Sequence, residues 1–86
     1  MSNEKAIEIL RQCKPLIQRA IISQKVNLEF SVKEVAELLD FEVAFKTILY
    51  SELEKLAKQA RLTEIEFLWL VNLLSEYQAQ RRAGLI

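Results

Sequence analysis

Residues 26–32 read VNLEFSV, and the alternation is complete: Val26, Leu28, Phe30 and Val32 on one side, Asn27, Glu29 and Ser31 on the other. Period-two patterning is the mark of a half-buried strand. A single strand in an otherwise helical chain would need a second copy or a partner to pair with, since an isolated two-stranded ribbon is marginal in water. A second pattern overlaps the first. Ser31 is followed three residues on by Glu34, the spacing at which a serine oxygen accepts the amide of the third helical residue while the glutamate reaches back to the serine amide. Phe30 before the cap and Val35 after it occupy the positions of a hydrophobic staple. The reading that explains more of the residues is therefore an extended connector over 25–31, tucking its apolar side chains under a bundle and leading into a helix at 32.

The same device recurs downstream. Thr63 and Glu66 repeat the capping-box spacing, with Leu62 and Phe67 in the staple positions, so a second helix starts near 64. It is expected to run to about 83, with Arg81 and Arg82 near its negative end and Gly84 as a left-handed stop. Upstream, Ala6, Ile9, Leu10, Cys13, Leu16, Ile17, Ala20 and Ile21 recur at spacings of three and four, which predicts one amphipathic helix over about 4–24. Pro15 falls opposite the stripe, so the carbonyl it orphans, that of Arg11, can face water; a kinked continuous helix is preferred to a break at Lys14. Between the two boxes, Glu42 and Lys46 interrupt the face formed by Val35, Leu38, Leu39, Leu49, Leu53, Leu56 and Ala60. Asp40 is a competent N-cap, so helices are expected near 32–39 and 41–60. The fold class is all-α: a small bundle of three to four helices in a single domain spanning 1–86, with a connector at 25–31 and a short tail at 84–86.

Composition narrows the chemistry. The chain has 86 residues, 51% of them hydrophobic, with one glycine, one proline and no histidine. A chain this short buries only about 60–65% of the surface its unfolded form exposes, so this much apolar material points to self-association or a standing partner, and a homodimer is expected. The missing histidine removes the commonest general base and metal ligand, and one glycine leaves no phosphate-cradling loop. Cys13 lies on the apolar stripe with nothing basic beside it to lower its pKa, which marks an inert thiol. Glu34, Glu37, Asp40 and Glu42 spread too widely round a helix to converge on one ion. No catalytic residue, cofactor, metal or small-molecule substrate is indicated, and the expected function is non-enzymatic.

Twelve basic residues balance twelve acidic ones, so no global field draws nucleic acid or anionic membrane. The first ten residues carry acids early and no uninterrupted apolar run, unlike a signal peptide. The longest apolar run is far short of the ~20 residues that span a bilayer. One cysteine fits a reducing compartment, and a soluble, cytoplasmic protein is expected.

Two surfaces are candidates for partners. The last helix carries a second apolar side, Leu62, Ile65, Leu68 and Trp69, away from its core face, and Leu85 and Ile86 could join it. A helix apolar nearly all round is central in its fold or covered by another chain, and tryptophan is enriched at binding hot spots. On the first helix Arg11, Lys14, Gln18 and Lys25 share a side that suits an acidic protein partner. The expected role is protein binding, as an adaptor, inhibitor or small regulator. The alternative is a DNA-binding regulator, because residues 32–49 resemble a degenerate helix-turn-helix with its turn at Asp40. Its would-be recognition helix begins Glu42, Val43, Ala44, Phe45, Lys46, a poor set for base edges and phosphates. A ribbon-helix-helix arrangement would aim Asn27, Glu29 and Ser31 at the groove, with Glu29 opposed by the phosphates.

Overall fold

The computed structural model describes residues 3–86. Its elements are α1 (Asn3–Gln12), α2 (Lys14–Ser23), α3 (Val32–Phe45), α4 (Tyr50–Gln59) and α5 (Glu64–Arg82), with no strand among the described residues. VNLEFSV is a connector. Leu28 and Phe30 are buried, Val26 is half-buried, and Asn27, Glu29 and Ser31 are exposed. Val32 separates the two readings: a strand would bury it, whereas the first position of a capped helix points it outward, and it is 90% exposed. The connector's backbone is held by side chains instead of a neighbouring strand. Gln80 Nε2 donates to the Leu28 carbonyl at 3.1 Å, and Arg19 Nη2 donates to the Glu29 carbonyl at 3.3 Å.

Both capping boxes form. The Glu34 amide donates to Ser31 Oγ at 3.1 Å and the Ser31 amide to Glu34 Oε1 at 2.9 Å. Thr63 and Glu66 repeat the pair at 3.1 and 2.9 Å. At the far end of α5, Gly84 sits at φ 77°, the Leu85 amide donates to the Gln80 carbonyl and the Gly84 amide to that of Arg81. That is the Schellman arrangement, for which glycine is the usual left-handed residue. The same pair of bonds closes α2 through Gln24 (φ 56°) and α4 through Arg61 (φ 65°), where no glycine marks the stop.

The first helical stretch divides at Cys13, which keeps right-handed helical angles (φ −76°, ψ −13°), so α1 and α2 meet across a single residue. The continuous helix over 4–24 is thus resolved into two. Pro15 lies in the first turn of α2, where its missing amide hydrogen has no helical partner to lose. The expected stripe holds for seven of its eight residues: Ala6, Ile9, Leu10, Cys13, Leu16, Ile17 and Ala20 are buried, and Ile21 is half-buried against them.

The expected break at Asp40 does not occur. α3 runs through it to Phe45, and the chain turns over 46–49. The reason lies in packing. Leu38, Phe41 and Phe45 are buried on one face, with the two rings 5.1 Å apart, and a break at Asp40 would scatter that face. Asp40 itself is exposed and caps nothing. The helix-turn-helix placed on 32–49 therefore lacks its turn. α4 begins after Leu49, which supplies no side-chain cap, so nothing in the local sequence announces it.

α1 packs on α3 and α4, and α5 packs on α2 and α3. The core they enclose is centred on Leu10, Ile17, Leu38, Phe41, Leu70 and Leu73, all essentially inaccessible. Truncating any one of these leucines to alanine is worth about 2–5 kcal/mol.

Candidate protein-binding surface

The outward side of α5 is built by the same sequence that builds its core side. Phe67, Leu70, Leu73 and Tyr77 face inward, and Val71 and Leu74 pack half-buried against the cluster. The opposite side is exposed along its length at Ile65, Leu68, Asn72, Ser75 and Ala79, a run at spacings of three and four. None of the five is charged. Of the helix's charges, Glu66 closes the capping box, Glu76 Oε1 accepts from Gln80 and Arg81 grips Glu42, while Glu64 and Arg82 stand exposed at its two ends. Ile65 is 64% exposed and Leu68 is 53% exposed, one turn apart. Trp69 flanks them, half-buried against the core cluster.

The residues assigned to this surface from sequence do not all meet on it. Ile65 and Leu68 do, and Trp69 borders them. Leu62 does not: it is 5% exposed, because the left-handed Arg61 turns it inward as the staple of α5. Leu85 and Ile86 are exposed, at 72% and 43%, but they sit past the opposite end of a 19-residue helix, about 28 Å from Ile65. One chain alone cannot join the two groups. Asn72, Ser75 and Ala79 extend the strip and were missed because, unlike leucines, polar and small residues give no hydropathy signal.

A second outward stripe, also missed, runs along α3: Val32, Ala36, Leu39 and Val43 are all exposed. Sequence patterning assigned Leu39 to the core face, but it is 41% exposed, since the core side of α3 is the one carrying Phe41 and Phe45.

The basic side of the first helical stretch is looser than its spacing suggests. Arg11, Gln18 and Lys25 are exposed, while Lys14 is half-buried and its Nζ donates to the Arg61 carbonyl at 3.2 Å. Lys14 thus clamps the α4–α5 turn to the start of α2. Arg19 forms a forked pair with Glu34 at 2.7 and 3.0 Å, and Arg81 forms one with Glu42 at 2.8 and 3.1 Å. Arg81 also lies 5.1 Å from the centre of the Tyr77 ring. These guanidinium bonds help hold the carboxyls of Glu34 and Glu42 below the usual range, although burial opposes them and is the largest single influence on Glu34.

Glu37 differs from both. It is 9% exposed and its Oε2 has no hydrogen-bond partner. Burial raises its pKa, Lys33 opposes, and Glu34 and Asp40 add to the rise. Cys13 is fully buried, with its thiol toward the Glu37 carbonyl at 4.0 Å, and burial pushes its pKa up to about 12. A thiol so placed is a small hydrophobe, not a nucleophile. Among the described residues, no group of three or more cysteine, aspartate or glutamate side chains could hold a metal ion, and no helix is long and apolar enough to cross a membrane.

No family model matches the chain, and no curated protein or solved structure matches it either. The surface must be read from its own chemistry.

Proposed function

We propose that this protein is a non-enzymatic protein-interaction module that works as a homodimer through the outward face of α5. The observation that carries the reading is the pair Ile65 and Leu68, 64% and 53% exposed on a helix whose other side already fills the core. Isolated exposed leucines are ordinary; two large apolar side chains one turn apart, bordered by the only tryptophan and continued by an uncharged strip, are the pattern of an interface centre. An adaptor, an inhibitor or a small regulator would all use such a face. The single cysteine fits a reducing, cytoplasmic setting.

Nucleic-acid binding has less support. α3 offers no turn at Asp40, and the exposed side chains on the first turns of α5 are Glu64, Ile65 and Leu68, none of which favours a phosphate.

Light scattering behind a sizing column, over a range of concentrations, tests the reading. The expected mass is twice 10.0 kDa, and Leu68→Glu is expected to halve it with the helical circular dichroism intact. Val32→Glu, a change at a still more exposed position on α3, is expected to leave the dimer in place. Leu68→Glu is a cleaner probe than Trp69→Ala, because Trp69 also packs on the core. A dimer that survives Leu68→Glu removes the assignment.

A further inference from the structure

We infer that the two copies pair α5 against α5 in antiparallel sense, about a twofold axis between Leu73 and Leu74. The inference rests on the homodimer reading above and gives it a register and a direction. Its first support is the spacing. Ile65, Leu68, Asn72, Ser75, Ala79 and Arg82 follow one another at three, four, three, four and three, the seam along which two helices mesh side chains. All six are exposed, and the first five are uncharged.

Direction follows from the uneven distribution of bulk and charge along the seam. The large side chains, Ile65 and Leu68, lie in the first half of α5, and the small ones, Ser75 and Ala79, lie in the second. Antiparallel pairing sets Leu68 against Ala79 of the second copy, and Asn72 against Ser75, whose groups can satisfy one another. Parallel pairing sets leucine on leucine and alanine on alanine, wide at one end and gapped at the other. Charge agrees. Glu64 opens α5 and Arg82 closes it on the same edge of the seam, so antiparallel copies join unlike charges at both ends, whereas parallel copies carry each charge to the opposite edge from its twin and gain no such pair. The helix dipoles also oppose favourably in the antiparallel sense.

The same arrangement explains the tail. Leu85 and Ile86, exposed beyond the Gly84 stop, come to lie beside Ile65 of the second copy. Two apolar groups that one chain holds apart become one patch. A single helix-on-helix seam with its tails lies near the lower end of the ~1,200–2,000 Å² that specific interfaces bury, so the dimer is expected to be reversible on dilution.

The test combines crosslinking with mass. Leu68→Cys and Ala79→Cys chains are mixed, oxidised and analysed under non-reducing conditions; Cys13 stays out of reach in the core. The expected product is the mixed 68–79 disulfide, with little homodisulfide from either variant alone. As a second readout that leaves the five uncharged seam positions intact, Glu64→Arg and Arg82→Glu should each weaken the dimer about five- to tenfold, and the double variant should return to within about threefold of the original. A dominant 68–68 or 79–79 disulfide, or no charge rescue, overturns the antiparallel register while leaving the homodimer standing. A dimer with no disulfide at either position takes the interface off α5. A wild-type chain still monomeric at about 1 mM overturns this inference and the homodimer reading together.

Discussion

Replacing Glu37 with glutamine should make the protein more stable at neutral pH and leave it nearly unchanged in acid. Glu37 is 9% exposed, and its Oε2 is buried without a hydrogen-bond partner. A buried polar group left unpaired costs about 1–3 kcal/mol, more when charged. Burial raises its pKa in the folded state, with Lys33 opposing and Glu34 and Asp40 reinforcing. The folded chain therefore holds the Glu37 proton to a higher pH than the unfolded chain, whose value lies near ~4.3. Below that pH the residue is protonated in both states and costs nothing in ionisation. As pH rises through the interval up to the raised folded value, the unfolded state is the one favoured by losing the proton, and stability falls. Glutamine removes this dependence while nearly preserving shape. At pH 7 the variant should gain roughly 1 kcal/mol, which for a domain of this size is a rise of about 4–8 °C in Tm. At pH 3.5 the two proteins should agree within about 0.5 kcal/mol. Thermal melts followed by circular dichroism, at one fixed protein concentration across pH 3.5–8, read the difference directly. A variant less stable than the parent at pH 7, or a difference that does not change with pH, would show that the carboxylate has a partner and refute the argument.

Glu34 should behave in the opposite sense. Its carboxyl is held down by Arg19 and by the Ser31 cap, against the pull of burial, so its stabilisation is present above the unfolded value near ~4.3 and is lost as pH falls through the lower folded one. Glu34→Ala should cost about 1–2 kcal/mol at pH 7, less at pH 3, measured in urea melts. Arg61→Gly relieves a left-handed residue at φ 65° and should stabilise by up to about 1 kcal/mol; the bond from Lys14 survives, because it is made to the backbone carbonyl. With its pKa near 12 and no exposed surface, Cys13 should resist a thiol reagent at pH 8 until denaturant unfolds the chain, so its labelling rate reports global opening.

Legibility in the sequence followed how local each signal was. Ser31–Glu34 and Thr63–Glu66 close their bonds within four residues, and both helix starts could be placed from spacing alone. The core positions of α1 and α2, three in each with Cys13 between them, were equally plain, because the face they bury is sustained on both sides of Pro15. The turn at 46–49 was hidden. It has no glycine, no proline and no side-chain cap at Leu49, and it exists because Phe41 and Phe45 anchor α3 while Leu53 and Leu56 of α4 meet the core from another side. Asp40 misled for the complementary reason, since a residue able to cap a helix does not have to do so. Gln24 and Arg61 end their helices in a conformation usually left to glycine, for which no residue-type cue was present. At the surface, Ile65 and Leu68 were readable as surplus, whereas the inward turn of Leu62 and the 28 Å-scale separation of the tail from Ile65 depend on the folded path of the chain.

The bond from Gln80 to the Leu28 carbonyl joins positions 52 residues apart, and it makes the connector a reporter on the far end of the molecule. The connector has no strand neighbour, and its path is set by two carbonyls, that of Leu28 held from α5 and that of Glu29 held by Arg19 of α2. Fraying at Arg82, or cutting the chain before Gln80, would free the Leu28 carbonyl and leave Arg19 as the connector's remaining clamp. If α5 is gripped by a second copy, association at one surface steadies a loop that never meets it.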